Sequence, residues 1–351
     1  MRVLNCMWSA ETAYHSVHLV LSNFLDAIAP VTHESLFLMG DSTQQKIFSN
    51  AQSFRSNKRS TKKLIARYFL RKEIIKKIQS FKPQLIVLDG LGMARLLLPV
   101  LKSFNFDLST VLVYFHGETH FKKQDVKLFN TEYNFKLRLI AVSKTLAENL
   151  IEQVGSLDVI AIPTYLNMPK VEKQLVNEQN TITFAAVGRL VESKNLSILI
   201  ECIGCLVQKG LNVYLRIAGD GDLYSTLQDE ILNKKLDKNI TLEGKVIRIE
   251  EFYQSVDVVL IPSLQEGQGL VIQEALYFDK PVVCSDIAVF KEQLGVAGIY
   301  CSTSCVKDWV EACEKLLQAS ERINLLKKQQ HVHQEYNNKE LFIQRCQAVC
   351  N

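Results

Sequence analysis

The chain has 351 residues, 47% hydrophobic and 22% charged, with a formal net charge of +4. This is the composition of an ordinary soluble globular protein, and the length suits two domains. No apolar run approaches the roughly 20 residues of a spanning helix, and Met1–Trp8 turns polar too soon for a secretion signal.

The first half alternates β-branched runs with longer helical patterns. Strands are expected at Arg2–Met7, Ser35–Met39, Gln84–Asp89, Thr110–His116, Leu137–Val142 and Val159–Pro163. Ser143–Val154 reads as a helix capped by Ser143, with Leu146, Leu150 and Ile151 on one face. A polar stretch from Asn167 to Asn180 reads as a linker. The alternation then restarts with strands at Ile182–Val187, Asn212–Ala218, Ile240–Glu243, Asp257–Ile261, Pro281–Cys284 and Gly298–Tyr300, and a helix at Asn195–Val207. From about Lys307 the chain is helical and polar, and its end is a candidate to return to the first domain. Strand, helix, strand at this spacing predicts α/β architecture with two Rossmann-like, doubly wound parallel sheets facing across a cleft. The expected divisions are residues 1–166, residues 167–335 and a C-terminal helix over 336–351.

The nine cysteines are odd in number and scattered, which predicts reduced thiols and a cytoplasmic setting. Cys202 and Cys205 form a CxxC spacing inside an amphipathic helical pattern with no second ligand pair, so they read as core side chains.

Charge is uneven along the chain. Residues 1–170 carry 22 Lys/Arg against 13 Asp/Glu, and residues 171–351 carry 19 against 24. Between Arg55 and Lys82, eleven basic residues meet one acid, Glu73. Leu64, Ile65, Tyr68, Phe69, Ile75 and Ile78 fall near one helical face there, with cations around the rest. Such a helix suits docking on an anionic membrane surface; a core helix with a solvated basic face is the equal alternative. Nothing resembles a nucleic-acid reading motif.

Four loops of the second half follow expected strands, where open α/β sheets bind ligands. In Gly188-Arg189-Leu190-Val191-Glu192-Ser193-Lys194 a glycine allows close backbone approach, and Arg189 and Lys194 offer charge to phosphate oxygens. Ala218-Gly219-Asp220-Gly221-Asp222 suits a tight turn or a phosphate. Gly244-Lys245-Val246-Ile247 sits where backbone groups meet a base. Pro262–Leu276 joins a strand to a glycine loop and a helix N-terminus, with Glu266 in the loop and Glu274 eight positions on. An anion site flanked by two hydroxyl-accepting acids fits a phosphorylated sugar.

These motifs, in this order and spacing over about residues 182–300, resemble the donor domain of glycosyltransferase family 4, the retaining GT-B enzymes. The resemblance implies transfer of a hexose-type sugar from a nucleotide-diphosphate donor to an acceptor hydroxyl with retention, in bacterial surface polysaccharide or lipopolysaccharide assembly. Arg189 and Lys194 would neutralise the diphosphate, with no metal ion or other cofactor expected. Asp220-Gly221-Asp222 spells Asp-x-Asp but falls in the family's glycine turn. Glu266 would hold donor-sugar hydroxyls, assisted by backbone N–H groups of Gly267, Gln268, Gly269 and Leu270. Glu274 would take the ribose, and Gly188, Gly219, Val246 and Ile247 would complete the donor site.

In the first half, His116 ends a strand where the family commonly has a histidine against the donor sugar, making it a catalytic candidate beside Glu266, Arg189 and Lys194. The loop Trp8–His15 lacks the family's glycines, and its Glu11 is the candidate for an acceptor hydroxyl. A glycan or lipid-linked acceptor, reached from the inner face of the cytoplasmic membrane, is the expected partner. A non-catalytic GT-B protein that binds a nucleotide sugar or glycan as an assembly partner is the alternative.

Overall fold

A computed structural model describes residues 1–10, 15–40, 47–48, 50–53, 64–103, 108–155, 158–166 and 181–350. The chain divides into two compact units, Met1–Tyr165 with Asn338–Asn351, and Leu166–Asn337. The expected linker, Glu11 and the start of the basic stretch lie outside the described residues.

Unit 1 runs β1 (Arg2–Ser9), α1 (His15–Ala27), β2 (Thr32–Met39), β3 (Ala51–Ser53), α2 (Leu64–Phe81), β4 (Leu85–Asp89), α3 (Gly90–Ser103), β5 (Thr110–Phe115), α4 (Lys123–Phe129), β6 (Lys136–Ala141), α5 (Lys144–Val154) and β7 (Val159–Ala161). Its seven strands are parallel in the order β3-β2-β1-β4-β5-β6-β7. The Ser143 side chain accepts the Leu146 N–H at 3.1 Å and starts α5, as an N-cap does.

Unit 2 runs β8 (Ile182–Val187), a 3-10 turn (Glu192–Lys194), α6 (Ser197–Gln208), β9 (Val213–Ala218), α7 (Tyr224–Asn233), β10 (Ile240–Gly244), α8 (Ile249–Gln254), β11 (Val258–Ile261), α9 (Leu270–Tyr277), β12 (Val282–Ser285), α10 (Ala288–Leu294), β13 (Ile299–Cys301), α11 (Val306–Lys315) and α12 (Ala319–Tyr336). Its parallel sheet has the order β10-β9-β8-β11-β12-β13. In both sheets the order reverses beside the first strand, between β1 and β4 and between β8 and β11. The crevice outside the carboxyl ends of such a pair is where doubly wound sheets take ligands.

The near-continuous apolar runs of the strands follow from burial on both faces. With a side-chain period of two, Phe184, Ala186, Val258, Leu260 and Val283 pack on one side with α6 and α11. Ala185, Val259, Ile261, Val282 and Cys284 pack on the other with α8, α9 and α10. Cys202 is fully buried in the first layer with its Sγ 4.0 Å from that of Cys313, and all nine cysteines are free thiols. That is a core role for the CxxC spacing.

Three elements differ from the sequence reading, the first being β3 (Ala51–Ser53), an edge strand absent from the expected set. The helix expected from Asn195 starts at Ser197, because Asn195 adopts a left-handed φ of 51° and donates its side-chain amide to Thr303 O at 2.9 Å. In α2 the core pair is Ile74 and Ile78, four apart, with Ile75 only half-buried. One cation of this helix, Lys77, pairs with Glu34 of β2, while Arg71, Lys72 and Lys76 are exposed.

The last helix, α13 (Lys339–Ala348), belongs to unit 1. Phe342, Cys346 and Val349 enter its core, and Arg138 caps the helix end by donating to Val349 O at 2.7 Å and Ala348 O at 3.2 Å. Among the described residues no helix is long and apolar enough to cross a membrane.

Candidate active site

The site of unit 2 is built from four loops at the carboxyl ends of its strands, around the β8/β11 reversal. Three glycines bring the first three loops into contact. Gly188 N–H donates to Ala218 O at 3.0 Å, and Gly219 N–H donates to Gly244 O at 2.8 Å. A Cβ on Gly219, where φ is 152°, would stand 1.7 Å from Gly188 O, so only glycine lets these turns touch. A Cβ on Gly221 would stand 2.4 Å from Leu190 O. The Asp220 carboxylate accepts the Gly221 N–H at 2.8 Å, which makes Asp220-Gly221-Asp222 a self-bonded turn. Among the described residues no cluster of three or more His, Cys, Asp or Glu is gathered for a metal ion.

Lys194 leaves the 3-10 turn and runs over Gly188, whose Cβ position lies 3.5 Å from Lys194 Cε. Its ammonium pairs with Glu266, and the Ser263 hydroxyl donates to the same carboxylate oxygen at 2.9 Å. Both charged side chains are largely buried, at 18% and 14% exposure, so neither interaction is diluted as a surface pair would be. The backbone fixes this geometry independently, because Leu264 N–H donates to Ser193 O at 2.8 Å. Arg189 stands exposed in the same loop.

After Glu266 the chain buries Gly267, Gln268 and Gly269, then begins α9 at Leu270. Gly269 has φ of 78°, and a Cβ there would meet Phe290 Cε1 at 2.6 Å. Gln293 of α10 donates to Gln268 O and holds the turn from beneath. One α9 turn on, Glu274 Oε2 accepts the Tyr253 hydroxyl at 3.0 Å. Burial pushes the Glu274 carboxyl up to about 7, opposed by the Tyr253 bond and by the charge of Lys194. The β10 loop divides its two candidates: Val246 packs on the core layer of α8, α9 and α10, while Ile247 is 92% exposed.

Unit 1 has its own cluster at the strand ends flanking its order reversal. His116 follows β5, stacks on Tyr114 with ring centroids 5.6 Å apart, and has Nε2 3.6 Å from Asp89 Oδ1 at the end of β4. Asp89 also accepts the Trp8 N–H at the end of β1, at 3.1 Å. Burial lowers the His116 pKa, with Asp89 working against it and His18 with it, so the ring is neutral at pH 7.

Of the expected residues, the structure brings Gly188, Lys194, Gly219, Glu266 and Glu274 together with the Gly267–Leu270 turn. Ser263, Tyr253 and Gln293 are additions that sequence reading missed. Ser263 had a faint signal, lying three residues before Glu266; Tyr253 and Gln293 lie on separate helices with no spacing that ties them to the loop.

The fold is that of the GT-B glycosyltransferases. Residues 181–319 match the family described as Glycosyl transferases group 1. Among curated proteins, a poly(ribitol-phosphate) alpha-N-acetylglucosaminyltransferase of Staphylococcus aureus is 28% identical over 137 residues, covering 39% of this chain and 28% of that protein. The putative glycosyltransferase EpsF of Bacillus subtilis is 32% identical over 110 residues, covering 31% and 29%. The chain thus spans less than a third of the length of these two relatives.

Solved structures match over nearly the whole chain. A glycosyltransferase of Rickettsia africae has a TM-score of 0.80 at 16% identity, covering 99% of this chain and 97% of that one. HepE of Anabaena, solved with UDP and glucose, has a TM-score of 0.80 at 16% identity, covering 98% and 97%. The lipopolysaccharide outer core galactosyltransferase WaaB has a TM-score of 0.72 at 14% identity, covering 97% and 99%.

Proposed function

We propose that the protein is a retaining glycosyltransferase that moves a hexose-type sugar from a nucleotide-diphosphate donor to an acceptor hydroxyl, in surface polysaccharide or lipopolysaccharide assembly. The observation that carries this reading is the packing of Lys194, Glu266 and Glu274 around a glycine-lined crevice at the β8/β11 reversal. Gly188 and Gly219, both at positive φ that favours glycine and both partly exposed, leave bare backbone where a diphosphate would lie. Lys194 and Arg189 supply the positive charge that a departing diphosphate develops toward, in place of a metal ion. Glu266, held by Ser263 and Lys194, accepts hydroxyls of the sugar, and Glu274 accepts those of the ribose. His116 acts on the sugar as a neutral hydrogen-bonding group, and Glu11 binds the acceptor.

The relatives support the reading by what their names state: N-acetylglucosaminyl transfer to a polyol phosphate polymer, and galactosyl transfer in the lipopolysaccharide outer core. The acceptor is accordingly a glycan or lipid-linked glycan, met at an anionic membrane surface through the exposed cations of α2. The decisive experiment incubates the protein with a panel of UDP- and GDP-sugars, follows donor turnover by NMR, and reads the anomeric configuration of the product. Retention with one donor fits the proposal. Inversion refutes the mechanism, and a donor that binds without transfer or slow hydrolysis makes the protein a binding partner instead.

A further inference from the structure

Tyr253 has one place to put its proton. Its ring is fully buried, stacked on Phe278 at 4.9 Å with the planes 16° apart, and set edge-on to Phe252 at 6.0 Å. Phe252 is fixed in turn by the Arg216 guanidinium, 5.1 Å above its ring and bonded to Glu243 at 2.6 Å. Clamped this way, the phenol points its hydroxyl at Glu274 Oε2, 3.0 Å away. Once ionised, the Glu274 carboxyl only accepts, so to that form the phenol is the donor.

We propose that Tyr253 is a positioning residue for nucleotide binding: its hydroxyl fixes one oxygen of Glu274 and favours the ionised carboxyl, so that the other oxygen meets the ribose hydroxyls. This rests on the donor-site reading above. The groups that face Glu274 are few. Tyr253 comes from α8 and Lys194 from the turn after β8, and Lys194 is already paired with Glu266. The far end of α9 meets α12 through Gln330, which bonds Leu276 O at 3.4 Å and Asp279 at 2.5 Å, and His333, kept neutral by burial with a pKa of about 4, lines a cavity with Leu276 and Tyr277. The Tyr253 bond is therefore the main local support of the charge against burial. Nucleotide affinity should then follow the ionisation of this one carboxyl around neutral pH.

A hydrogen bond to a charged group moves its titration by about one pH unit. Tyr253→Phe keeps the stacked ring and removes only the donor. In nucleotide-free protein labelled with 13Cδ-glutamate, the Glu274 signal, assigned by its absence in Glu274→Gln, should titrate about one pH unit higher in Tyr253→Phe than in wild type. By calorimetry, affinity for UDP, taken relative to Glu274→Gln to remove the nucleotide's own titration, should fall about fivefold at pH 7 and hardly at all at pH 9.5. An unmoved carboxyl midpoint overturns the proposal, and so does an affinity loss equal at both pH values. If the midpoint moves but wild type binds none of UDP, GDP or ADP, the donor-site reading falls and the positioning role with it.

Discussion

Glu274→Gln should stabilise the ligand-free protein at alkaline pH. Burial raises this carboxyl from 4.5 to about 7 in the folded state. Between those values the folded chain holds a proton that the unfolded chain releases, so stability falls as pH rises through the window. Below about pH 4.5 the cost is absent; above about pH 7 it is complete, about 3 kcal/mol at most. Solvent at the half-buried side chain trims this to about 1–3 kcal/mol. The amide keeps the volume and still accepts the Tyr253 hydroxyl, so the variant isolates the charge. For a unit of this size each kcal/mol moves Tm by about 2–4 °C. Scanning calorimetry without nucleotide should give Glu274→Gln a Tm higher by about 3–9 °C at pH 8 and unchanged at pH 4.5. A variant no more stable than wild type at pH 8 would refute the assignment of burial as the dominant influence on this carboxyl.

Other outcomes follow from the same geometry. Glu266→Ala should reduce transfer at least a hundredfold in the donor-turnover assay, with a far-ultraviolet circular dichroism spectrum like that of wild type; a fully active variant removes Glu266 from the site. Gly219→Ala should destabilise unit 2 by about 3 kcal/mol in urea, since its Cβ collides with Gly188 O. The same change at Gly244, where φ is 64° and nothing lies within 4 Å, should cost only about 1 kcal/mol. Equal costs at the two positions would mean that the Gly188–Gly219 contact does not hold the loops. Reversing Arg71, Lys72, Lys76 and Lys82, which are all exposed, should abolish flotation with phosphatidylserine vesicles; flotation that survives the change rules out this face of α2 as the membrane contact.

The sequence was most legible where burial on both faces of a sheet dictates it. The second-half strands stand out as short runs rich in apolar residues, unbroken in Val258–Ile261, and the expected bounds of each agree with the structure within a residue or two. Loops were legible where glycine marks a steric necessity: Gly188, Gly219 and Gly269 take conformations or contacts that a Cβ would prevent. Side chains that act across the fold were not. Tyr253 reaches Glu274 from another helix, and Gln293 reaches Gln268 from α10. Neither contact leaves a spacing in the chain, because it depends on how α8 and α10 are laid against α9. The start of α6 differs from the sequence pattern for a related reason: Asn195 is a tolerable helix residue by propensity, yet its bond to Thr303, more than a hundred residues on, holds it left-handed.

The chemistry of unit 2 also explains why its acids could be recognised while their states could not. Glu266 and Glu274 look equivalent in sequence, eight residues apart around one glycine turn. Their partners differ. Glu266 meets the Lys194 ammonium and the Ser263 hydroxyl at one carboxylate oxygen. Glu274 lies where only a phenol and a cation already engaged elsewhere oppose burial, so its charge is costly until a ligand shares it. A hydroxyl pair arriving at Glu274 would replace missing solvation, which gives binding a source of free energy that the empty site lacks. On the proposed donor-site reading, the carboxyl that weakens the ligand-free fold is the one whose charge a bound nucleotide would relieve.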